Sequence, residues 1–298
     1  MRREWSVAIA IVALAALLAV AAPRYFSAEN LSDVFLVNMP ILVVAIGTTL
    51  VILTGEIDIS VGSAFAVCSV VAGVAAKSGL PIGAVALGAC AVGASIGALN
   101  GALVAYGRIP SIVVTLAAMV ALRDGLRWTT QGAWIDALPS TFQWLGVSQR
   151  AFPLVAAGAV VLLSLAVAWI MRNVAAGRAV YATGSNAEAA RLAGIDTALV
   201  KLWVFTVAGA LTGVAALLNS VRFNQIPSNT GLGLEMKVVA AVVVGGTAIT
   251  GGRGTFTGTS LGVMLLGASG PALTFLGISA QWERALQGAI ILISTISV

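Results

Sequence analysis

The 298-residue chain is 59% hydrophobic and only 9% charged, with a mean hydropathy of +1.03. A soluble domain carries roughly a quarter charged residues, because it needs them to cover its surface, so a soluble enzyme is excluded. The net charge of +5 comes from basic residues standing singly between apolar runs. They build no phosphate-binding face, so no nucleic acid is expected as a partner and membrane lipid is.

A membrane-spanning helix needs about 20 mostly apolar residues. On that measure ten segments follow one another: Trp5–Ala22, Val34–Thr54, Ser60–Ala76, Ile82–Ala105, Ile109–Leu126, Phe152–Met171, Lys201–Ser220, Met236–Thr250, Thr257–Leu276 and Trp282–Ser297. The runs are continuous rather than alternating, which excludes a barrel. The fold expected is all-α: one polytopic transmembrane domain over residues 1–298. The first segment, with its basic MRREW start and small residues at Ala21 and Ala22, imitates a secretory signal. It is read as an uncleaved spanning helix, since it is long enough to span and the rest of the chain is embedded.

The first interruption is Thr54-Gly55-Glu56-Ile57-Asp58-Ile59-Ser60-Val61-Gly62-Ser63. An acidic residue at the centre of a spanning helix costs about 3 kcal/mol, so Glu56 and Asp58 do not face lipid. Non-helical backbone at that depth belongs inside protein or beside a water-filled cavity. Two readings stand together: the break lines a translocation path, or Asp58 or Ser60 caps the next helix. Cys68 and Cys90 lie in small-residue apolar runs and are read as packing residues. Asn100, on the small-residue face Gly97-Ala98-Leu99-Asn100-Gly101, is read as bonding a neighbouring helix or a ligand; Thr115 is a further intramembrane polar group.

Residues 128–150 hold Trp128, Trp134, Phe142 and Trp144, the composition of a loop at the membrane–water interface on the periplasmic side. Residues 172–200 form the one long polar, helix-forming stretch. Within it SNAEAARLAGI reads as a short amphipathic helix capped by Ser185 or Asn186, with Glu188 in its first turn and Gly194 at its end. So short a helix needs a docking surface, and Ala189, Ala190 and Leu192 could supply the contact. Glu235 and Lys237 open a later helix, read as an N-terminal charge and a snorkelling lysine or as path groups.

The second interruption is Gly245-Gly246 followed by Gly251-Gly252-Arg253-Gly254-Thr255-Phe256-Thr257-Gly258. It has no preceding strand and no Lys-Ser/Thr ending, so it is not a phosphate loop. Paired interruptions in the two halves of a chain point to a transporter's central path. The path candidates are therefore Glu56, Asp58, Ser60, Asn100, Thr115, Gly251, Gly252 and Thr255. Lysines and arginines divide eight against eight between the two sides when the N-terminus is placed inside, so the charge rule does not set the orientation. The basic stretch from Arg172 to Lys201 favours the inside. With no histidine in the chain, the commonest metal ligand and the usual proton shuttle are missing. No metal, cofactor or catalytic residue is expected.

TLVILTGEIDISVGS, GALNGALVAYGRIPSIVVTL, AVYATGSNAEAARLAGI and VVGGTAITGGRGTFTG together resemble the ribose-type permease family of bacterial ABC importers, in order and over nearly the whole chain. QGAWIDALPSTFQ and IPSNTGLGLEMK are most similar to permeases for autoinducer-2 and for rhamnose or related sugars. The resemblance implies a multi-pass protein of the bacterial inner membrane. A second permease subunit, identical or paralogous, would complete the path, with a cytoplasmic ABC ATPase below and a periplasmic substrate-binding protein above. SNAEAARLAGI then matches the family's coupling helix, and Asn186, Glu188, Ala189, Ala190, Arg191 and Gly194 carry over as its contact residues. The chain departs from the family at Val298, where it stops inside the last apolar segment without a polar cytoplasmic tail; a truncated chain is the expectation. The rival reading is an ion-coupled secondary transporter using Glu56 and Asp58. An intramembrane enzyme finds no nucleophile–base pair or metal cluster in the sequence.

Overall fold

The computed structural model describes residues 2–279 together with 281–283, 285, 288 and 289. The expected last span, Trp282–Ser297, falls mostly outside the described residues. Within them the chain is helical, and its one piece of β structure is an isolated antiparallel bridge between Ile135 and Ile226. In hydrocarbon every backbone N–H and C=O must find a partner within its own segment, so continuous apolar runs become helices.

Eleven α-helices follow one another among the described residues: α1 Arg2–Ala21, α2 Ala28–Leu53, α3 Val61–Lys77, α4 Ile82–Ala105, α5 Ser111–Thr130, α6 Phe152–Asn173, α7 Ala175–Ser185, α8 Ala187–Leu192, α9 Thr197–Ser220, α10 Leu234–Val244 and α11 Phe256–Phe275. Five of them, α1, α2, α4, α6 and α9, are long and apolar enough to cross a membrane. The structure departs most from the expected segments at α10. A single run was expected over Met236–Thr250, but the helix is 11 residues long, about 16 Å at 1.5 Å per residue, or half a bilayer. It is bounded by irregular backbone at both ends, because Gly231 and Gly233 before it, and Gly246, Gly251 and Gly252 after it, adopt positive φ.

Helix α2 is the axis of the bundle. From Met39 to Leu53 it is buried on almost every side, and Val43, Ala45, Ile46, Val51, Ile52 and Leu53 are wholly inaccessible, as expected of a helix surrounded by others. Around it α9 packs against α4, α2 and α3, α11 packs against α2 and α10, and α1 lies on α11. The α4–α9 seam is built from small residues. A Cβ on Gly93 would stand 2.2 Å from the Gly209 carbonyl oxygen, one on Gly97 2.1 Å from that of Phe205, and one on Gly213 2.4 Å from that of Ala89. The pairing runs antiparallel, and only glycine lets the backbones meet so closely.

The loop over 128–150 is partly an interface loop and partly core. Trp128 and Trp134 are exposed, but Phe142 is buried and Trp144 stacks edge-on against Phe152. Exposure thus fits the expected interface loop for two of the four residues, and burial takes the other two into the core. The loop is pinned to the backbone after α9: Ile135 and Ile226 exchange both hydrogen bonds, and Trp144 N–H donates to Val221 O at 2.8 Å.

Candidate translocation path and coupling helix

At the first break α2 stops at Leu53, and Gly55, with φ of +80°, turns the chain. Asp58, Ser60, Asn100 and Thr115 then gather into one buried knot. The Asp58 carboxylate accepts from Ser60 N–H at 2.8 Å and from Ser60 Oγ at 2.6 Å, while Asn100 Nδ2 donates to Ser60 Oγ at 2.9 Å. Thr115 Oγ1 donates to Ser111 O at 2.8 Å and lies 3.4 Å from Ile57 O, and Ile57 N–H donates to Ser111 Oγ at 3.2 Å. The knot joins the start of α3 to α4 and α5. Asp58 does hold the chain entering α3, though through Ser60 rather than by a direct cap; Ser60 itself makes no side-chain cap bond. Asn100 bonds its neighbour, the first of its two readings. Glu56 points elsewhere, into a part-buried ion pair with Lys201 near the start of α9.

The second break meets the first. Gly252 N–H donates to Leu53 O at 2.9 Å, and Gly251 lies so close to Gly55 that an added Cβ would stand 2.7 Å from its nitrogen. The end of α7 completes the contact: a Cβ on Gly184 would be 1.8 Å from Leu53 O and 2.7 Å from Gly252 N. Tyr181 O–H, one turn earlier, donates to Gly254 O at 3.0 Å, and burial raises the pKa of that hydroxyl. Thr255 lies apart from the knot and exposed. It caps α11 by accepting from Gly258 N–H at 3.1 Å, and with Thr257 it donates to Glu4 of α1. The eight path candidates thus fall into a buried knot, an ion pair, a glycine junction and a helix cap.

The polar stretch folds as read. Asn186 is extended and its Oδ1 accepts from Ala189 N–H at 2.9 Å, so Asn186 rather than Ser185 is the cap of α8. Glu188 stands in the first turn, and Gly194 (φ +85°) closes the end, with Gly194 N–H on Arg191 O and Ile195 N–H on Ala190 O, both 3.0 Å. Of the apolar contact residues, Ala190 is buried against its own subunit, whereas Ala189 and Leu192 are exposed. Helix α7 runs directly from the glycine junction into α8.

One site escaped the sequence reading. Between α9 and α10 the chain does not leave the bundle. Residues 222–233 descend along α3, so that Gly231 and Glu235 lie against Gly62. The half-helix α10 therefore starts inside the bundle, beside a cavity of about 700 Å³ lined by Phe65, Asn219, Thr230, Glu235, Lys237 and Glu283, among others. Lys237 does not snorkel; its Nζ lies 3.1 Å from Glu283 Oε1. Arg123 of α5 braces that wall, donating to Thr230 O at 2.9 Å and attracting Glu235. The pairs Gly231/Gly233 and Glu235/Lys237 were the available signal, since two positive-φ glycines before a charged helix start mark a break as clearly as Gly251 and Gly252 do. Cys68 and Cys90 are free.

Relatives with known names support a transport role. Over 291 residues the chain is 38% identical to the autoinducer 2 import system permease protein LsrC of Yersinia pseudotuberculosis serotype O:1b, covering 97% of this chain and 83% of the relative. The LsrC proteins of Y. pseudotuberculosis serotype O:3 and of Yersinia pestis strain Pestoides F match over the same lengths at 38% and 37%. No solved structure matches the chain. The family described as branched-chain amino acid transport system / permease component matches residues 30–295, which take in the knot, the glycine junction, α8 and the cavity. The protein is a transport component rather than an enzyme, and it belongs to that permease family.

Proposed function

We propose that the chain is the permease subunit of a bacterial inner-membrane ATP-binding-cassette importer for a small sugar-like solute, of which autoinducer-2 is the first candidate. The observation that carries this reading is the continuous connection from α8 to both helix breaks. A capped six-residue helix with an exposed apolar residue at its end is marginal alone, yet it is fused through α7 to the junction of Leu53, Gly184 and Gly252. An ATPase gripping α8 would act on the centre of the bundle through a few backbone contacts. The likeness to autoinducer 2 import permeases supplies the solute class.

In this reading residues 1–298 form a single permease domain with ten membrane passes, α10 making half of one. A second permease subunit supplies the other wall of the path, a periplasmic binding protein delivers the solute, and ATP is hydrolysed on a separate subunit. Asn186, Glu188, Ala189, Arg191 and Gly194 present α8 to that ATPase, while Ala190 anchors it. The knot of Asp58, Ser60, Asn100 and Thr115 closes the inner end of the path. Glu56, Gly251, Gly252 and Thr255 hold the segments that must shift to open it. The ion-coupled alternative is disfavoured because Glu56 is paired with Lys201 and Asp58 Oδ1 already accepts from both the N–H and the hydroxyl of Ser60.

The test is uptake of autoinducer-2 and rhamnose into vesicles carrying the permease with its ATPase and binding protein. Uptake should need ATP and the binding protein and persist when ion gradients are collapsed. Uptake driven by a gradient without ATP would overturn the reading.

A further inference from the structure

At the end of the bundle that bears α8, an apolar groove of about 400 Å³ runs between α6, α7 and α9, and Leu50 of α2 also lines it. We propose that the groove holds an acyl chain of one anionic phospholipid, whose headgroup phosphate is met by Arg172 and Arg178. The proposal holds whichever solute the permease carries.

The groove exists because the chain turns sharply after α6. An added Cβ on Gly177 would stand 2.4 Å from Met171 Cα, so the start of α7 is seated against the last turn of α6. Helix α7 packs against both α6 and α9, whereas α6 and α9 barely meet, and the gap between those two is the groove. Leu199, Trp203 and Val207, on successive turns of α9, line it and are exposed. From Leu199 to Val207 this wall runs about 12 Å at 1.5 Å per residue, close to the hydrocarbon depth of one leaflet, about 15 Å. Apart from the Trp203 indole, no side chain in the lining donates a hydrogen bond, which suits an acyl chain. Charge selects the headgroup. Arg172 and Arg178 are exposed and adjoin the lining residues Met171 and Gly177. Arg178 Nη1 donates to Asn173 O at 3.1 Å, which holds its guanidinium at the end of α6 while the remaining N–H groups of the fork suit a phosphate. Helices α6 and α7 carry no acidic residue. At the start of α9, Asp196 caps the helix through Leu199 N–H at 3.0 Å, and Lys201 is paired with Glu56. A lipid of net negative charge therefore gains most at this corner. Trp169, one turn before Arg172, is exposed, as an indole at headgroup level is. Gly177 and Val180 form one wall, so the bound chain bears on the helix that joins α8 to the glycine junction.

The experiment reconstitutes the full chain into phosphatidylcholine vesicles containing either phosphatidylglycerol or phosphatidylcholine with brominated acyl chains, whose bromines quench tryptophan on contact. The Trp203 signal is the difference between each protein and its Trp203→Phe counterpart. Brominated phosphatidylglycerol should half-quench that signal at a mole fraction about fivefold lower than brominated phosphatidylcholine, the scale of one basic residue at an anionic surface. The double variant Arg172→Gln/Arg178→Gln should abolish the preference. Arg172→Gln alone, at an exposed position, should reduce it, and it reports even if the double variant fails to fold. Ala176→Phe puts a ring into the groove without altering charge and should weaken quenching by both lipids. Equal quenching by the two lipids in the wild type, or a preference unchanged in both arginine variants, would overturn the headgroup assignment. Quenching by neither lipid would mean that a protein surface, such as a second copy of the chain, covers the groove, and would overturn the proposal outright.

Discussion

At Gly184 a single hydrogen stands where any side chain would strike the Leu53 carbonyl, with 1.8 Å of room for a Cβ. Neither neighbour can yield, because Leu53 O is already accepting from Gly252 N–H. Overpacking of this kind costs about 1–3 kcal/mol. Gly184→Ala should therefore lower the thermal unfolding midpoint in detergent and reduce coupled uptake. Gly194→Ala, strained by its positive φ but with open space around it, should lose about 1–2 kcal/mol and disturb only α8. The Glu56–Lys201 pair makes a separate case. Glu56→Gln and Lys201→Met should each destabilise by about 1.5–3 kcal/mol, and the double variant by less than their sum, as a double-mutant cycle on the unfolding midpoint would show. Strictly additive losses would mean that the two side chains do not interact. The sequence made these residues visible unequally. Asn186 and Gly194 were legible because a cap and a stop act on neighbours within four residues. The partner of Glu56 lies 145 residues away, and no local pattern encodes a distance closed by tertiary packing.

Among the elements, the α4–α9 seam and α8 fail in different ways. Gly97→Leu would drive four carbons into the Phe205 carbonyl across a seam that has no slack at Gly93 or Gly213 either. It should prevent the helices from docking and leave little folded protein, read as loss of the monodisperse peak on size-exclusion chromatography. Asn186→Ala should remove one cap worth about 1 kcal/mol, and Leu192→Asp should place a charge on the exposed end of α8. Both should leave the permease folded and lower ATPase-driven uptake, Leu192→Asp by about tenfold; unchanged uptake with both would separate α8 from coupling. The long helices were legible from their apolar length, since lipid imposes the same demand on every residue of a span. Helix α10 was misread because its 11 residues are continuous in hydropathy with the glycine turn that follows. Whether a run of that length crosses or stops halfway depends on Gly231 and Glu235 packing against Gly62, not on composition.

For the whole molecule, the structure breaks the tie that the charge count left. The glycine junction, the Glu4–Thr255 contact, α8 and the starts of α5 and α9 share one end of the bundle. The α1–α2 turn, Lys77 with Asp136, and the loop over 128–150 share the other. Three residues counted with the outer loops do not lie in them: Arg123 bonds Thr230 O within the bundle, Lys237 lines the cavity, and Arg222 is half-buried toward Asp33. That leaves Arg24, Lys77, Arg127 and Arg150 to the outer side, with Arg284 outside the described residues. Against them stand Arg2, Arg3, Arg108, Arg172, Arg178, Arg191, Lys201 and Arg253 at the end bearing α8. Only loop charges orient a membrane protein during insertion, so the recount supports the proposal that α8 lies on the cytoplasmic side, within reach of an ATPase. A cysteine at Leu192 should accordingly react with a membrane-impermeant maleimide only after the inner face is opened, and one at Leu80 in intact spheroplasts. Both positions are exposed, so neither result would be confounded by burial, and the reversed pattern would place α8 beyond the reach of any cytoplasmic motor.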